Sequence, residues 1–224
     1  IGTVHSARAL YGNAGSTWAE WYHDGSVGPL AEVGIYNLKT LTAALGPVVE
    51  VQSAESLVVA KREISGQVVR TAGSDVSHVL LKHKDGALSS LVSSHCIQRY
   101  RRPALEFYGT EGTANLLGDD WDPRGFEIWR NSAGCWEEFE PIDPTWLWAD
   151  GLEEMVNALQ EERQPLHSPE QDIHLLEVIE ASIRAAREKR AIVLKSRFTP
   201  LNLELAERED RHHLHDHTRP ADEQ

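Results

Sequence analysis

Sulfur is scarce in this 224-residue sequence: it has two cysteines, Cys96 and Cys135, and one methionine. Two isolated cysteines build neither a disulfide framework nor a pair at metal-ligand spacing, which fits a reducing, cytoplasmic setting. Positive charge is also short. Lys and Arg total 22 against 35 Asp and Glu, a net charge of −13. Such a chain repels phosphate backbones, so nucleic acid is not an expected partner. The basic clusters "RYRR" (99–102) and "REKR" (187–190) read as a loop and a solvated helix end. No apolar run approaches the ~20 residues of a membrane-spanning helix, so a membrane is not an expected partner either.

Several motifs are missing too. The sequence contains no Gly-x-Gly-x-x-Gly and no Walker-type loop ending in Lys-Ser or Lys-Thr, and it does not open on a β-α-β alternation. Nothing in it cradles a dinucleotide pyrophosphate in the usual way. No Gly-x-Ser-x-Gly elbow and no His-Glu-x-x-His occurs, which removes the common serine-hydrolase and zinc signatures. The chain starts at Ile1, not Met, and enters a strand-like pattern at once, so we expect it to be a piece of a longer polypeptide.

Hydrophobic residues make up 41% of the chain, enough for a core. "TVHSARAL" (3–10) reads as a strand, and 11–27 as a loop rich in Gly, Ser and Trp. "GPLAEVGIYNLKTLTAALGP" (28–47) reads as a helix, with Pro29 in its first turn and Gly46–Pro47 at its end. Residues 48–64 are rich in β-branched side chains and suggest extended structure, bent midway. "VSHVLLKHKDGALSSLVSSH" (76–95) is a hairpin turning at Asp85–Gly86, and 104–118 repeats the idea at Glu111–Gly112. "FEIWR" (126–130) adds a short strand.

Two further helices follow. In 150–163, Leu152, Met155, Val156 and Leu159 recur at helical spacing and Asp150 is a candidate cap; in 168–190, Ser168 caps, Pro169 follows, and Ile173, Leu176, Ile179 and Ile183 form one apolar face. "AIVL" (191–194) returns to strand. From about 205 the chain turns polar, so we expect a domain over 1–204 and a mobile tail over 205–224. This order predicts an α+β fold: a large, mostly antiparallel open sheet with the three helices on one face. The other face meets water or a second sheet, and apolar residues there would favour an isologous homodimer.

Glu32, Tyr36 and Lys39 share one stripe of the first predicted helix, opposite Leu30, Leu38, Leu41 and Leu45. A carboxylate and a phenol at i and i+4 reach one small molecule. A phenol with a pKa of about 10 needs a nearby cation to move protons at neutral pH, and Lys39 is one turn away. By spacing alone, a merely solvated polar face explains the same stripe.

The seven tryptophans are Trp18, Trp21, Trp121, Trp129, Trp136, Trp146 and Trp148. They read mainly as packing, although aromatic faces also stack on sugars. Trp18 and Trp21 stand out because their loop leads into the candidate helix. The histidine-rich "HHLHDH" (212–217) reads as incidental solvated side chains and not as a metal site. His95 and His174 read as residues with local hydrogen bonds, and His5 as a candidate for the edge of a cleft.

"STWAEWYHDGSVGPLAEVGIYNLKTLTAALGPVVEV" (16–51) resembles the start of the C-terminal domain of the glucose–fructose oxidoreductase / inositol dehydrogenase / MocA family. "ALEFYGTEGTANL" (104–116) is similar to that family's strand–Gly-Thr-x-Gly–strand hairpin, and "HLLEVIEASIRAAREKRAIVL" (174–194) to its last helix and closing strand. The resemblance spans most of residues 1–198. It implies an NAD- or NADP-dependent oxidoreductase acting on a sugar, polyol or related alcohol. A preceding Rossmann domain, absent from this chain, would hold the cofactor.

Carried over by position, Glu32 falls on the family's Asp and Tyr36 on its His, and some branches also have Tyr there. Glu for Asp is a departure, as is "GSVGP" in place of a richer glycine turn. The resemblance implies Glu32 and Tyr36 as catalytic residues; the helix stripe and the tryptophan loop add Lys39 and Trp21 as candidate substrate contacts. It also implies that the isolated chain binds no cofactor and does not transfer hydride. Two other functions remain open from the residues: a cofactor-free carbohydrate-binding module, and a purely structural dimerisation domain.

Overall fold

The computed structural model describes residues 1–25, 27–101, 103–119, 122–140 and 149–200. Among the described residues, nine strands form one sheet in the order β10-β9-β8-β7-β1-β6-β5-β2-β11. Their ranges are β1 Val4–Gly12, β2 Val48–Ser56, β5 Val76–His83, β6 Leu88–Ser94, β7 Leu105–Gly109, β8 Gly112–Asp119, β9 Asp122–Arg130, β10 Cys135–Phe139 and β11 Ile192–Val193. A separate hairpin joins β3 Lys61–Ile64 to β4 Gln67–Arg70. Every pairing is antiparallel except β1 with β6, which run parallel. The fold is α+β with a large, mostly antiparallel sheet.

Period-2 alternation decides the two faces of the sheet. Val51, Val79, Leu81, Leu91, Ala7, Ala9 and Leu105 point to one side and join the core. Over them lie α1 Pro29–Glu32, α2 Gly34–Leu45 and α4 Pro169–Glu188, which contribute Leu30, Leu38, Leu41, Leu45, Leu175, Val178 and Ile179. The opposite face carries the Arg8–Glu106 ion pair and an Asn115–Glu127 hydrogen bond of 2.8 Å, with Leu80, Leu88 and Trp136 exposed beside them.

The helix expected over 28–47 is two helices. Val33 breaks the run at φ −105°, and Gly34 then lies so close to β6 that a Cβ there would meet Ser93 Oγ at 2.3 Å. The break lets the second segment press directly on the sheet. The extended stretch 48–64 is likewise divided, its second half leaving the sheet for the β3–β4 hairpin. Ser65 and Gly66 turn that hairpin, both at positive φ, where a two-residue turn needs them. Sequence reading foresaw neither β4 nor β10. The β5–β6 turn at Asp85–Gly86 forms as expected, with Gly86 at φ 93°. In the β7–β8 hairpin, Gly112 belongs to the strand and not to the turn.

The helices on the core face are α1, α2 and α4. α3, Asp150–Gln160, does not join them: Leu152, Met155, Val156 and Leu159 all stay exposed. Its N-cap is Ala149, not Asp150, without a side-chain cap bond. Ser168 does cap α4, its Oγ accepting from Gln171 N–H at 3.1 Å. Gln171 completes no capping box; its amide instead reaches Thr42 Oγ1 on α2 at 3.0 Å.

The buried side of α4 also differs from expectation. Ile173 and Leu176 are exposed, whereas His174, Leu175, Val178, Ser182 and Ala185 face inward. The inward histidine is satisfied: His174 Nε2 accepts from Val48 N–H at 3.0 Å, and its Nδ1 lies 2.7 Å from Ser196 Oγ. The domain limit at 204, the tail over 205–224 with its histidines, and Trp121, Trp146 and Trp148 lie outside the described residues.

Candidate active site

The parallel pairing of β1 with β6 brings two strand ends together. Tyr11 faces Ser93 and Gly12 faces Ser94 in register, and His95 follows β6 directly. α1 ends at this point with Glu32, and Tyr36 lies in the first turn of α2. Between β1 and α1 the chain makes a 3₁₀ turn over Glu20–His23, which contributes Tyr22. Five side chains from separate elements therefore share one end of the sheet: Tyr11, Tyr22, Glu32, Tyr36 and His95.

Glu32 is the centre of this group. Its Oε1 accepts the Tyr22 hydroxyl, and its Oε2 lies 3.3 Å from Nε2 of His95. His95 is 1% exposed, whereas the Glu32 side chain keeps 20% exposure. Burial and the hydrogen bond to Glu32 hold the Tyr22 phenol well above the usual range, so it remains protonated. The Tyr36 ring meets Tyr11 edge-on, with centroids 5.9 Å apart. Tyr22 leans on the His95 ring at 5.1 Å.

The tryptophan loop is pinned from below. Buried His23 donates from Nε2 to the Ser16 carbonyl at 3.1 Å, and burial keeps its pKa low. Thr17 O accepts from Ser65 N–H at 2.9 Å, tying the loop to the β3–β4 hairpin. Arg62 of β3 donates to Ala14 O at 2.9 Å, to His95 O at 3.0 Å and to Asp75 Oδ2 at 3.2 Å. Burial pushes the Asp75 carboxyl up. The Val58 and Val59 amides, at 2.7 and 2.9 Å, the Cys96 thiol and the Arg62 guanidinium more than offset this and leave it below the usual carboxylate range. On this base Trp18 and Trp21 stand 71% and 45% exposed, edge-on to each other at 6.3 Å.

The structure thus brings Glu32 and Tyr36 to one place, with Trp21 reaching the group through its contact with Tyr22 at 4.7 Å. Lys39 is engaged elsewhere: its Nζ pairs with Asp172 of α4 at 3.1 Å, so it is not the cation of this cluster. His5 is exposed near the end of β1 remote from Tyr11. Tyr11, Tyr22 and His95 join the site without a signal in the sequence, and His95 bonds across the fold instead of locally. Tyr22 and His95 lie 10 and 63 positions from Glu32, so no spacing rule joins them. Among the described residues no group of three or more His, Cys, Asp or Glu is placed to hold a metal ion. No helix among them is long and apolar enough to cross a membrane.

Comparison with known proteins adds three findings. The family model of the GFO/IDH/MocA C-terminal domain matches residues 1–115. No protein of curated function matches the sequence significantly. Among solved structures, an aldose–aldose oxidoreductase from Caulobacter crescentus, complexed with glycerol, superposes at TM-score 0.70 with 22% identity. It covers 87% of this chain and 56% of its own. An NAD-binding oxidoreductase from Klebsiella pneumoniae gives TM-score 0.74 at 16% identity over 88% of this chain and 60% of its own. A levoglucosan dehydrogenase in complex with NADH gives 0.75 at 14% identity, again over 88% and 60%. The chain therefore spans somewhat more than half the length of these structures, and at such identities the likeness is one of fold.

Proposed function

We propose, from the premise that this chain belongs to the GFO/IDH/MocA C-terminal domain family, that it is the substrate-binding and dimerisation domain of an NAD(P)-dependent oxidoreductase. The substrate is a sugar, polyol or related alcohol. The observation that carries this reading is the convergence of Glu32, Tyr36, Tyr22, Tyr11 and His95 at the joined ends of β1 and β6. Tyr36 offers a phenolic hydroxyl to the reacting oxygen of the alcohol and carries its proton. Glu32 supplies a fixed negative charge that orients the hydroxyls of the substrate. Trp21, exposed beside the cluster, offers an aromatic face to the ring or carbon chain of the substrate.

The described residues do not fit a dinucleotide. β1 runs on into the tryptophan loop with no Gly-x-Gly-x-x-Gly sequence, and the strand that follows in sequence, β2, is not its neighbour in the sheet. A separate domain of the enzyme would hold the nicotinamide, and the isolated chain would not transfer hydride. The outer sheet face, with Leu80, Leu88 and Trp136 exposed around the Arg8–Glu106 pair, is the proposed homodimer surface. A cytoplasmic location belongs to the same proposal; both Cys96 and Cys135 are free thiols.

The test is a polypeptide joining this chain to its nicotinamide domain, assayed with NAD and NADP against a panel of aldoses and polyols. Tyr36→Phe lowers turnover by roughly 10²–10⁴-fold, the usual contribution of a positioned proton donor. Wild-type turnover in that variant would overturn the assignment. A cofactor-free carbohydrate-binding module is the second reading, favoured by the exposure of Trp18. Saturable sugar quenching of tryptophan fluorescence without any nucleotide, unaffected by Tyr36→Phe, would support it.

A further inference from the structure

A carboxylate offers two oxygens and about four lone-pair sites, and what occupies them decides whether it acts as a base or as a fixed charge. In Glu32 both oxygens are taken from the protein side, by Tyr22 on Oε1 and by His95 on Oε2. The two partners come from opposite directions: Tyr22 from the 3₁₀ turn, His95 from the end of β6. Each is itself anchored. Tyr22 packs against Trp21 and His95, and the backbone carbonyl of His95 accepts the buried guanidinium of Arg62. The cation foreseen for Tyr36 is absent from the group, because Lys39 is paired with Asp172.

We infer that His95 and Tyr22 are positioning residues that clamp both oxygens of Glu32, so that Glu32 serves as a fixed anion and Tyr22 is withdrawn from the substrate. This rests on the functional reading above. The imidazole acts through its Nε2–H, so a side chain placing an N–H at the same point replaces it. Glutamine does this and leucine does not. Tyr22 keeps its proton on Glu32 and donates nothing to the alcohol.

The clamp is tested without turnover, in the 224-residue chain labelled at tyrosine ¹³Cζ and histidine ¹⁵N, at neutral pH. Glu32→Gln moves the Tyr22 ¹³Cζ resonance. His95→Leu moves it the same way, because an unclamped carboxylate swings away from Tyr22. His95→Gln leaves it at the wild-type position. A His95→Leu spectrum with Tyr22 unmoved, or a Glu32→Gln spectrum with Tyr22 unmoved, overturns the clamp. Should His95→Leu fail to fold, Tyr22→Phe gives the contrast from the other side by moving the His95 Nε2 resonance, and an unmoved resonance there also overturns it.

In the polypeptide carrying the nicotinamide domain, His95→Leu lowers kcat by about 10–100-fold with KM little changed, the effect of a misplaced group near the reacting atoms. His95→Gln restores kcat. A wild-type polypeptide without activity on aldoses or polyols overturns the functional reading, and the resonance shifts still decide the clamp.

Discussion

Asp75→Ala is the most informative single perturbation of the scaffold beneath the site. Asp75 is 1% exposed and its carboxylate is held by Val58 N–H at 2.7 Å, Val59 N–H at 2.9 Å, Arg62 Nη2 at 3.2 Å and the Cys96 thiol. Removing it orphans two backbone donors and leaves the Arg62 guanidinium, itself only 9% exposed at the side chain, without its counter-ion. Breaking a buried pair in this way costs about 3–5 kcal/mol, most of it from the charge left behind. A domain of this kind has roughly 5–15 kcal/mol to lose. Urea unfolding followed by circular dichroism should therefore show a midpoint lowered by a large fraction of its wild-type value.

Arg62→Met should destabilise by a similar amount, and because both variants break one network the double variant should cost well under the sum. Additive effects, or an Asp75→Ala loss below about 1 kcal/mol, would refute the reasoning, since that is the worth of a solvated surface pair.

Acid should act on the fold in two steps. Burial keeps His23, His83 and His174 below the ordinary histidine pKa, so below about 6.5 the unfolded chain binds protons that the folded chain refuses. Their contribution is complete above that value and is lost as pH falls from it toward their folded pKa values; urea midpoints at pH 8 and pH 5 measure it. Asp75 and Glu177, both below the usual carboxylate range, add a second loss below about pH 4, as pH falls through their folded pKa values. Gly34→Ala gains about 1 kcal/mol of helix propensity but drives a Cβ to 2.3 Å from Ser93 Oγ. Overpacking of about 1–3 kcal/mol offsets that gain, so the melting temperature should fall and not rise. Ser168→Ala removes the α4 cap and should cost about 1 kcal/mol in chemical unfolding.

The sequence by itself determined the α+β class, the hairpin at Asp85–Gly86, the α4 cap at Ser168, and the nearness of Glu32 to Tyr36 four positions on, although the structure divides these two between α1 and α2. Each of these depends on chemistry within a few residues: a turn that tolerates positive φ, a hydroxyl facing an orphan N–H, a period of 3.6. The tertiary structure alone decided the rest. Only the parallel pairing of β1 with β6 could set His95 beside Glu32, and only the 3₁₀ turn over Glu20–His23 could bring Tyr22 to the other carboxylate oxygen. The same holds for burial. Apolar periodicity marked Leu152, Met155, Val156 and Leu159 for a core that α3 does not reach, and it overlooked the inward side of α4. That side is built from His174, Ser182 and Ala185 as well as Leu175 and Val178. Periodicity reports that a helix has two sides. Which of them meets the sheet depends on the shape and hydrogen bonds of what lies opposite, and those partners are distant in the chain.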